Sequence, residues 1–265
     1  MNIITVIQAR RGSTRLPDKI MMPLAGKPLL IRMYERVKAA ELAGTIVVAT
    51  TMSEKDNLVS EICDYEGYEF YCGSELDLLD RHYKAGIEFE ADAIVKIPSD
   101  CPLIDFRIID RVIKFYLDNS GNYDYVSNLH PATYPDGNDV EVIPMKTLKR
   151  AWEEAKKDFE REHTTPFIWE SPERFRIGNV EWETGKDYSM SHRFTIDYME
   201  DYELINKIYE ELYQRNPLFS MEDILKLLDE KPEIKKINGK YCGVNWYRDH
   251  FGELKTITKE QTKKI

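Results

Sequence analysis

The amino-acid sequence predicts an α/β protein built on a doubly wound, mostly parallel sheet with helices on both faces. Short β-rich runs alternate with helical patterns over residues 2–118, as in a series of strand–helix–strand units. Three of these runs, IITVI, TIVVA and AIVKI, are nearly continuous apolar segments, which is typical of strands covered on both faces. Ligands of such sheets bind in the loops beyond the carboxyl ends of the strands, so functional residues are expected there.

The elements of the first half follow one another in a regular order. Each of the first two strands is followed by a helix long enough for a right-handed crossover to the next parallel strand. The segments are NIITVIQA (strand), KPLLIRMYERVKAAEL (helix), GTIVVATT (strand), EKDNLVSEICDYEG (helix), YEFYCG (strand), LLDRHYKAGIEFE (helix), DAIVKIPSD (strand) and DFRIIDRVIKFYLDN (helix).

The pattern changes from about residue 124. YDYVSN and NDVEVIP predict two strands joined by the turn-rich HPATYPDG, so a β-hairpin is expected within an insert over about residues 124–192. The segments that follow are TLKRAWEEAKKDFEREH (helix), RFTID (end of a strand) and MEDYELINKIYEELYQR (amphipathic helix). We therefore predict one α/β domain over residues 1–219 and a helical, basic C-terminal appendage over residues 220–265.

Composition and charge exclude several classes of protein. The formal net charge is -10, so a protein that coats nucleic acid is not expected. The sequence has no apolar stretch of the roughly 20 residues that a membrane span needs and no leader-like N-terminus, so we predict a cytoplasmic protein with no membrane partner. The four cysteines form no CxxC pair and are expected to be buried thiols in a reducing compartment.

The loop after the first strand is unusually basic for an acidic protein. Arg10, Arg15 and Lys19 surround the turn that Gly12 and Ser13 begin. Backbone N–H groups of such a turn can bind phosphate oxygens, and arginine and lysine side chains add charge around them. The spacing matches neither GxxxxGK[ST] nor GxGxxG. A surface loop with scattered basic residues is the alternative, but its position after a buried strand favours a site for a small anion.

The segment ARRGSTRLPDK resembles the signature of the cytidylyltransferases that make CMP-activated sugar acids, the CMP-N-acetylneuraminate and CMP-Kdo synthetases, and especially that of spore coat polysaccharide biosynthesis protein F-like members. GSELDLLDRHY, IPSDCPLID, YVSN, TYPDGNDVEV, REHTTPFI and RFTIDYMEDYELI resemble further stretches in the same order, over residues 2–212. The resemblance implies a Rossmann-like nucleotide-binding sheet. It also implies transfer of CMP from CTP to a nonulosonic or Kdo-like sugar acid, with release of pyrophosphate and dependence on Mg²⁺.

The resemblance also implies which residues bind the nucleotide. Arg15 and Lys19 are expected to be catalytic, together with Asp100, while Arg11 stands where relatives carry varied residues. Asp77 and Arg81 could instead form an i,i+4 surface pair on a helix. The implied set is Arg10, Gly12, Ser13, Arg15 and Lys19 for the triphosphate, Gly73, Ser74, Asp77 and Arg81 for the nucleoside side, and the backbones of Gln8 and Ala9 for the base.

Asp100 and Asp197 are the candidate ligands of the magnesium ion. Asp100 lies in the loop after the AIVKI strand, at the sheet edge where the basic loop is also expected. Both correspond to metal-site aspartates of the resembling enzymes, and a hard cation prefers carboxylates. Asp100 could instead be a turn residue beside proline, and Asp197 could cap the following helix.

The acceptor sugar is expected near the insert. The hairpin residues around Asp136 could equally be turn formers. Arg161 and His163, at the end of the next helix, could instead complement the dipole of that helix. His163 is a candidate general base. The expected substrate-binding residues are Asn128, Tyr134, Asn138, Glu141, Arg161, His163 and Arg193.

Other interpretations stay open at this point. The acceptor could be a sugar phosphate or an alcohol phosphate rather than a sugar acid. A glycosyltransferase that uses a nucleotide sugar is a second possibility, although no Asp-x-Asp follows a buried strand. A non-enzymatic nucleotide-binding scaffold would not need the complete set of candidate site residues. The resemblance further implies a homodimer that uses the insert as its contact.

Overall fold

The computed structural model describes residues 1–263 and contains a seven-stranded central sheet with helices on both faces. Its strands run in the spatial order β5-β4-β1-β6-β8-β7-β9. A two-stranded ribbon, β2 (Pro23–Leu24) and β3 (Lys27–Pro28), lies apart from it. The strands of the central sheet are β1 (Ile3–Gln8), β4 (Thr45–Thr51), β5 (Glu69–Gly73), β6 (Ala93–Pro98), β7 (Tyr125–Ser127), β8 (Glu141–Pro144) and β9 (Ile177–Asn179).

The strand pairing confirms the predicted mostly parallel sheet. β1 pairs in parallel with β4 and β6, and β4 pairs in parallel with β5. The predicted hairpin consists of β7 and β8, which pair antiparallel to each other. Because β8 also pairs with β6, the hairpin extends the central sheet rather than projecting from it.

Helices cover the two faces of the sheet. The predicted helix TLKRAWEEAKKDFEREH is divided in two, because Ala155 is extended and Glu160 accepts hydrogen bonds from the backbone N–H groups of Lys156 and Lys157. The helices are α1 (Leu29–Lys38), α2 (Asn57–Glu66), α3 (Leu78–Glu88), α4 (Phe106–Asp118), α5 (Met145–Glu154), α6 (Asp158–His163), α7 (Pro166–Trp169), α8 (Met199–Leu212), α9 (Met221–Glu230), α10 (Pro232–Lys236) and α11 (Tyr247–His250).

Both faces of the central strands are buried, which explains their apolar runs. In β1, Ile3 and Ile7 belong to one apolar cluster, and Ile4 and Val6 belong to another on the opposite face. Side chains of a strand alternate between its faces, so an uninterrupted apolar run is needed where both faces are covered. The sheet is therefore held as a rigid central layer, and its carboxyl edge is left for loops.

The expectation of a strand at RFTID is wrong. Residues 193–197 form an extended segment whose backbone bonds go to loops: the Phe194 N–H donates to the Asp136 carbonyl, and the Ile196 N–H donates to the Asp100 carbonyl. An isolated bridge joins Asp136 and Arg193. The β-rich residues 193–197 therefore form an extended connection that crosses the sheet edge. This connection places Asp197 beside the loop that follows β6.

The residues predicted as a C-terminal appendage pack against the main domain. Ile224 and Leu227 share an apolar cluster with Leu204 of α8. Leu254 and Ile257 join the cluster that covers one face of the central sheet. Residues 220–263 therefore share cores with residues 1–219. Every helix in residues 1–263 is too short or too polar to cross a bilayer.

Candidate active site

A cleft of about 670 Å³ opens at the carboxyl edge of the sheet. β1 and β6 end there at Gln8 and Pro98, which face each other in register. β7 ends and the antiparallel β8 begins at the same edge, because Ser127 and Glu141 are paired and Glu141 faces Lys96. Loops from distant parts of the chain therefore meet at one place, as expected for a sheet of this kind.

Lys19 joins the first loop to two later segments. Its Nζ donates to Asp100 Oδ2 at 2.7 Å, to Asp197 Oδ1 at 3.2 Å and to the Ile196 carbonyl at 2.5 Å. The Lys19 side chain is only 10% exposed. Burial alone would lower the pKa of Lys19, but the two carboxylates more than offset it and the pKa is raised. Lys19 is thus a fixed ammonium group at the centre of the cleft floor.

Asp197 is the other centre of this charge network. Its Oδ1 accepts from Arg15 at 2.6 Å and its Oδ2 accepts from Arg193 at 2.9 Å. Burial would raise the pKa of Asp197, but Lys19 and Arg15 lower it well below its usual range, so the group is ionised. Its carboxylate does not cap α8, since Asp201 accepts the backbone N–H groups of residues 197 and 198.

The first loop presents some of its basic side chains to the cleft and turns one away. Arg10, Ser13 and Arg15 line the cleft with Lys19. Arg11 instead donates to Asp18 and to the Lys55 carbonyl, both at 2.7 Å. Gly12 lies outside the lining, and an added Cβ would meet its nearest neighbour at 3.7 Å. Phosphate binding would therefore depend on side chains more than on this glycine.

Two buried polar atoms without partners mark the side of the cleft predicted to bind the nucleoside. Gln8, Ala9 and Arg81 line it, and neither Gln8 Oε1 nor Arg81 Nε has a hydrogen-bond partner within residues 1–263. Buried polar atoms are normally paired, so these two are suited to a ligand. Burial lowers the pKa of Arg81 to about 10. A Cβ added at Gly73 would lie 2.7 Å from Tyr71 Cε1 and 3.0 Å from Arg81 Cγ, so the glycine leaves room for both side chains.

Ser74, Asp77 and Arg161 support the cleft from outside its lining. The Asp77 carboxylate accepts from the Asp80 N–H at 2.9 Å and so caps α3. It also pairs with Arg161 at 2.6 Å, and Ser74 Oγ accepts from the Asp77 N–H. The alternative of an Asp77–Arg81 surface pair is wrong, because Arg81 is only 2% exposed and Asp77 pairs with α6.

Asn128 and Asn138, two of the predicted substrate-binding residues, form hydrogen bonds within the hairpin loop. Asn128 accepts from the Val140 N–H and donates to the Asn138 carbonyl. Asn138 accepts from the Asp105 N–H at 3.1 Å. Both are almost fully buried, and Tyr134 is 4% exposed in the same wall. Asn128 and Asn138 therefore shape the wall of the cleft that was predicted to bind the acceptor, and their amide groups are engaged by the loop itself.

Glu141 is also engaged, by a residue that the predictions omitted. Its Oε1 accepts from Lys96 Nζ, and its Oε2 accepts from the Tyr125 hydroxyl at 2.6 Å. Burial would raise the pKa of Glu141, but the Lys96 charge and these hydrogen bonds lower it. A lysine within the apolar run AIVKI was the signal for this pair, since a charge on a covered strand needs a partner.

Arg193 fixes several segments and is itself inaccessible. Its guanidinium donates to Asp136 at 3.1 Å, Asp197 at 2.9 Å, Asp201 at 3.0 Å and the Val244 carbonyl at 2.5 Å. The side chain is 1% exposed. A buried arginine with four acceptors has a positioning role, and through Asp197 it links the cleft floor to the C-terminal segment.

The C-terminal segment forms part of the cleft wall, which the sequence did not predict. Trp246, Tyr247 and His250 line the cleft, and the Trp246 ring stacks on His163 at 3.8 Å. Burial lowers the pKa of His163 to about 3. An imidazole with so low a pKa is a weak general base at neutral pH, so His163 suits a binding role better than proton transfer.

The pair Asp100 and Asp197 fits a magnesium ion by its donor chemistry. The two carboxylates converge on one cation, the Lys19 ammonium. Residues 1–263 contain no group of three or more His, Cys, Asp and Glu side chains arranged to hold a metal. Mg²⁺ typically takes one or two carboxylates and completes its shell with water and substrate phosphates, so two aspartates suffice only if a phosphate is also present.

The chain is similar to a described protein family and to several known proteins. A family model described as Cytidylyltransferase matches residues 4–230. An uncharacterized protein of Methanocaldococcus jannaschii is 37% identical over 90% of this chain and 95% of its own length. Spore coat polysaccharide biosynthesis protein SpsF of Bacillus subtilis is 30% identical over 88% of this chain and 96% of its own.

A shorter match and a solved structure agree with this description. A 3-deoxy-manno-octulosonate cytidylyltransferase of Trichlorobacter lovleyi is 35% identical over 46% of this chain and 47% of its own length. The structure of a cytidylyltransferase from Leptospira borgpetersenii superposes with a TM-score of 0.83 at 33% identity, covering 89% of this chain and 97% of that one. The chain therefore belongs to the cytidylyltransferase family and is a nucleotidyltransferase that uses CTP.

Proposed function

We propose that the protein transfers the cytidylyl group of CTP to a hydroxyl of a sugar acid and releases pyrophosphate. The observation that carries the proposal is the Lys19 ammonium between Asp100 and Asp197, with Arg15 beside it at the mouth of the first loop. Similarity to SpsF and to a 3-deoxy-manno-octulosonate cytidylyltransferase supports a sugar-acid acceptor.

The basic side chains would stabilise charge on the phosphates. The acceptor hydroxyl attacks the α-phosphorus, the bond to the bridging oxygen breaks, and pyrophosphate leaves with that oxygen. Such a transfer needs in-line positioning and neutralisation of negative charge more than covalent help from the protein. Arg15 can bind phosphate oxygens, since its side chain is 42% exposed although it pairs with Asp197. The three N–H groups of Lys19 donate to Asp100, Asp197 and the Ile196 carbonyl, so Lys19 would bind phosphate oxygens by exchanging one of these partners.

Asp100 and Asp197 would hold the magnesium ion. When bound, the ion supplies positive charge to phosphate oxygens and helps to align them. Asp197 is kept ionised by its basic neighbours, as a metal ligand must be. Arg193 holds the second oxygen of Asp197 and so fixes the orientation of its carboxylate.

The nucleoside would lie against Gln8, Ala9 and Arg81. Gln8 Oε1 is a buried acceptor without a partner in residues 1–263, and the exocyclic amine of cytosine is a donor that could satisfy it. An unsatisfied buried group discriminates strongly against ligands that lack its partner. Gln8 would therefore contribute to the choice of CTP over UTP.

A pyrophosphate-release assay tests this proposal. The purified protein is supplied with Mg²⁺, one of CTP, ATP, GTP or UTP, and a panel of Kdo-type and sialic-type acids. We expect release that needs both CTP and a sugar acid. Arg15→Ala should lose that activity, whereas the matched control Arg11→Ala should keep it, because Arg11 points away from the cleft. Equal release with all four nucleotides, or release independent of a sugar acid, would contradict the proposal.

A homodimer that contacts through residues 124–192 stays a prediction, as does the cytoplasmic location. Sedimentation equilibrium of the full chain tests the first: a mass of twice 31.1 kDa is expected, and a monomer at micromolar concentration would contradict it.

A further inference from the structure

One wall of the cleft is built by residues beyond the family match. The family model ends at residue 230, yet Asn245, Trp246, Tyr247, Asp249 and His250 line the cleft. Trp246 contacts His163 of α6, and Tyr247 contacts His130 of the hairpin loop. If CTP occupies the first loop, this wall is available to the acceptor.

The C-terminal segment is fixed in place by specific contacts. Arg193 donates to the Val244 carbonyl at 2.5 Å, and Asn245 donates to the Gln261 carbonyl at 2.8 Å. The backbone N–H groups of residues 255 and 256 donate to the Glu170 carboxylate. Since Leu254 and Ile257 are also buried, the segment is an integral wall of the cleft.

The wall presents aromatic rings to the cleft. Trp246 stacks on His163 with ring centroids 3.8 Å apart and planes 15° apart. Tyr247 packs edge-on against Trp246 at 4.8 Å and against Trp169 at 6.0 Å. Because the rings support one another, they form a rigid apolar surface. Such a surface suits the C–H face of a sugar, with polar groups at its edge fixing orientation.

The polar groups around this surface are mainly carboxylates. Asp139, Asp187, Asp249 and Glu260 all line this part of the cleft. Of the lysines and arginines that line it within residues 1–263, Lys96 is paired with Glu141 and Arg193 with three aspartates. The remaining four, Arg10, Arg15, Lys19 and Arg81, belong to the nucleotide side. Asp249 pairs with the Arg248 guanidinium at 3.2 Å, so the negative charge that would disfavour a second anion here comes from Asp139, Asp187 and Glu260.

Building on the proposed function, we propose that residues 242–261 form the distal wall of the acceptor subsite and select its substituents. The wall accepts a sugar acid whose end remote from the reacting hydroxyl carries hydroxyl or amino groups, and it rejects a phosphate there. The carboxyl group of the acid lies on the opposite side, toward Arg15. Trp246 supplies the surface for the sugar ring, and Asp187 and Glu260, at the edge of that surface, supply the charge that excludes a phosphate.

Steady-state kinetics of the full chain test this inference, with a sugar acid and its terminally phosphorylated analogue as the two acceptors. Trp246→Ala should raise KM for the sugar acid about tenfold, as loss of an aromatic contact of this kind does, and should leave KM for CTP unchanged within about twofold. The double change Asp187→Asn with Glu260→Gln should raise kcat/KM for the phosphorylated analogue. Glu233→Gln is the matched control, because it removes an exposed carboxylate of α10 outside the cleft lining.

The outcomes separate the two proposals. Wild-type protein that turns over CTP with the sugar acid, together with an unchanged acceptor KM in Trp246→Ala, would overturn the role of the C-terminal wall. Equal wild-type kcat/KM for the two acceptors would overturn the charge selection. Absence of turnover with every sugar acid would instead contradict the proposed function. Circular dichroism and melting temperature of each variant establish that a loss of activity is not a loss of folding.

Discussion

The Lys19 ammonium lies 2.7 Å from the Asp100 carboxylate, and this contact joins residues that are 81 positions apart in the chain. Lys19 comes from the loop after β1 and Asp100 from the loop after β6. The two strands are parallel neighbours in register up to Gln8 and Pro98, so their loops emerge side by side. The central pairing of the sheet therefore creates the contact at the centre of the cleft.

Replacing Lys19 tests the proposed charge stabilisation. Lys19→Ala should lower kcat with CTP by at least about 100-fold, the usual effect of removing one preorganised charge stabiliser. It should also lower the free energy of unfolding by about 1 to 3 kcal/mol, because Asp100 loses its partner. Lys27→Ala is the control, since that lysine pairs with Glu35 and lies outside the cleft lining. Turnover equal to that of the wild type would remove Lys19 from the mechanism.

Asp100→Asn tests the predicted metal site. The substitution keeps the size of the side chain but removes a hard anionic donor, so the Mg²⁺ concentration for half-maximal rate should rise at least about tenfold. Activity titrations with MgCl₂ at saturating CTP measure this change. Asp110→Asn is a suitable control, because Asp110 accepts from backbone N–H groups of residues 41 and 42, away from the cleft. An unchanged Mg²⁺ requirement would mean that Asp100 does not hold the ion.

His82 gives a prediction about stability and pH. It is fully buried, and burial lowers its pKa to about 3 from an ordinary value of 6.5. The unfolded chain therefore binds a proton near pH 6.5 that the folded chain binds only near pH 3. The contribution of His82 to the free energy of unfolding is fully present above pH 6.5. It decreases as the pH falls from 6.5 toward 3, by up to about 1.4 kcal/mol per pH unit.

Urea unfolding between pH 7 and pH 4 measures the effect of His82. His82→Gln should fold with a smaller loss of stability over this range, because it has no titrating ring. A slope in His82→Gln equal to that of the wild type would show that other groups account for the acid sensitivity.

Arg193→Lys tests the link between the cleft floor and the C-terminal wall. A single ammonium cannot replace the planar fork that reaches Asp136, Asp197, Asp201 and the Val244 carbonyl together. We expect a loss of about 1 to 3 kcal/mol in the free energy of unfolding and a rise in KM for the acceptor. Arg176→Lys, at an exposed pair with Asp124, should change neither. Wild-type kinetics in Arg193→Lys would contradict the positioning role.

The sequence predicted the sheet well because its signals were local. Runs such as AIVKI have a composition that only covered strands need, and a basic loop directly after β1 had to lie at the carboxyl edge. Asp100 and Asp197 were also found from sequence, and the structure brings both to Lys19. The family assignment rested on motifs of the same kind, short and in order along the chain.

Other features depended on long-range contacts that a local pattern does not reveal. RFTID has the composition of a strand, but its backbone bonds go to the loops at Asp100 and Asp136. Asn128, Asn138 and Arg161 have polar side chains that suit a ligand, yet protein groups engage them. Trp246 lies in the cleft wall because the residues after 241 pack against the rest of the domain. No hydrophobic periodicity in the sequence predicts this packing.

A crystal structure of the protein with CTP and Mg²⁺ tests the proposed phosphate site. We expect the triphosphate in the first loop, with oxygens within about 3 Å of Lys19 Nζ and the Arg15 guanidinium, and the ion on Asp100 and Asp197. A triphosphate bound elsewhere, with Lys19 still held by both aspartates and Arg15 turned to solvent, would contradict it.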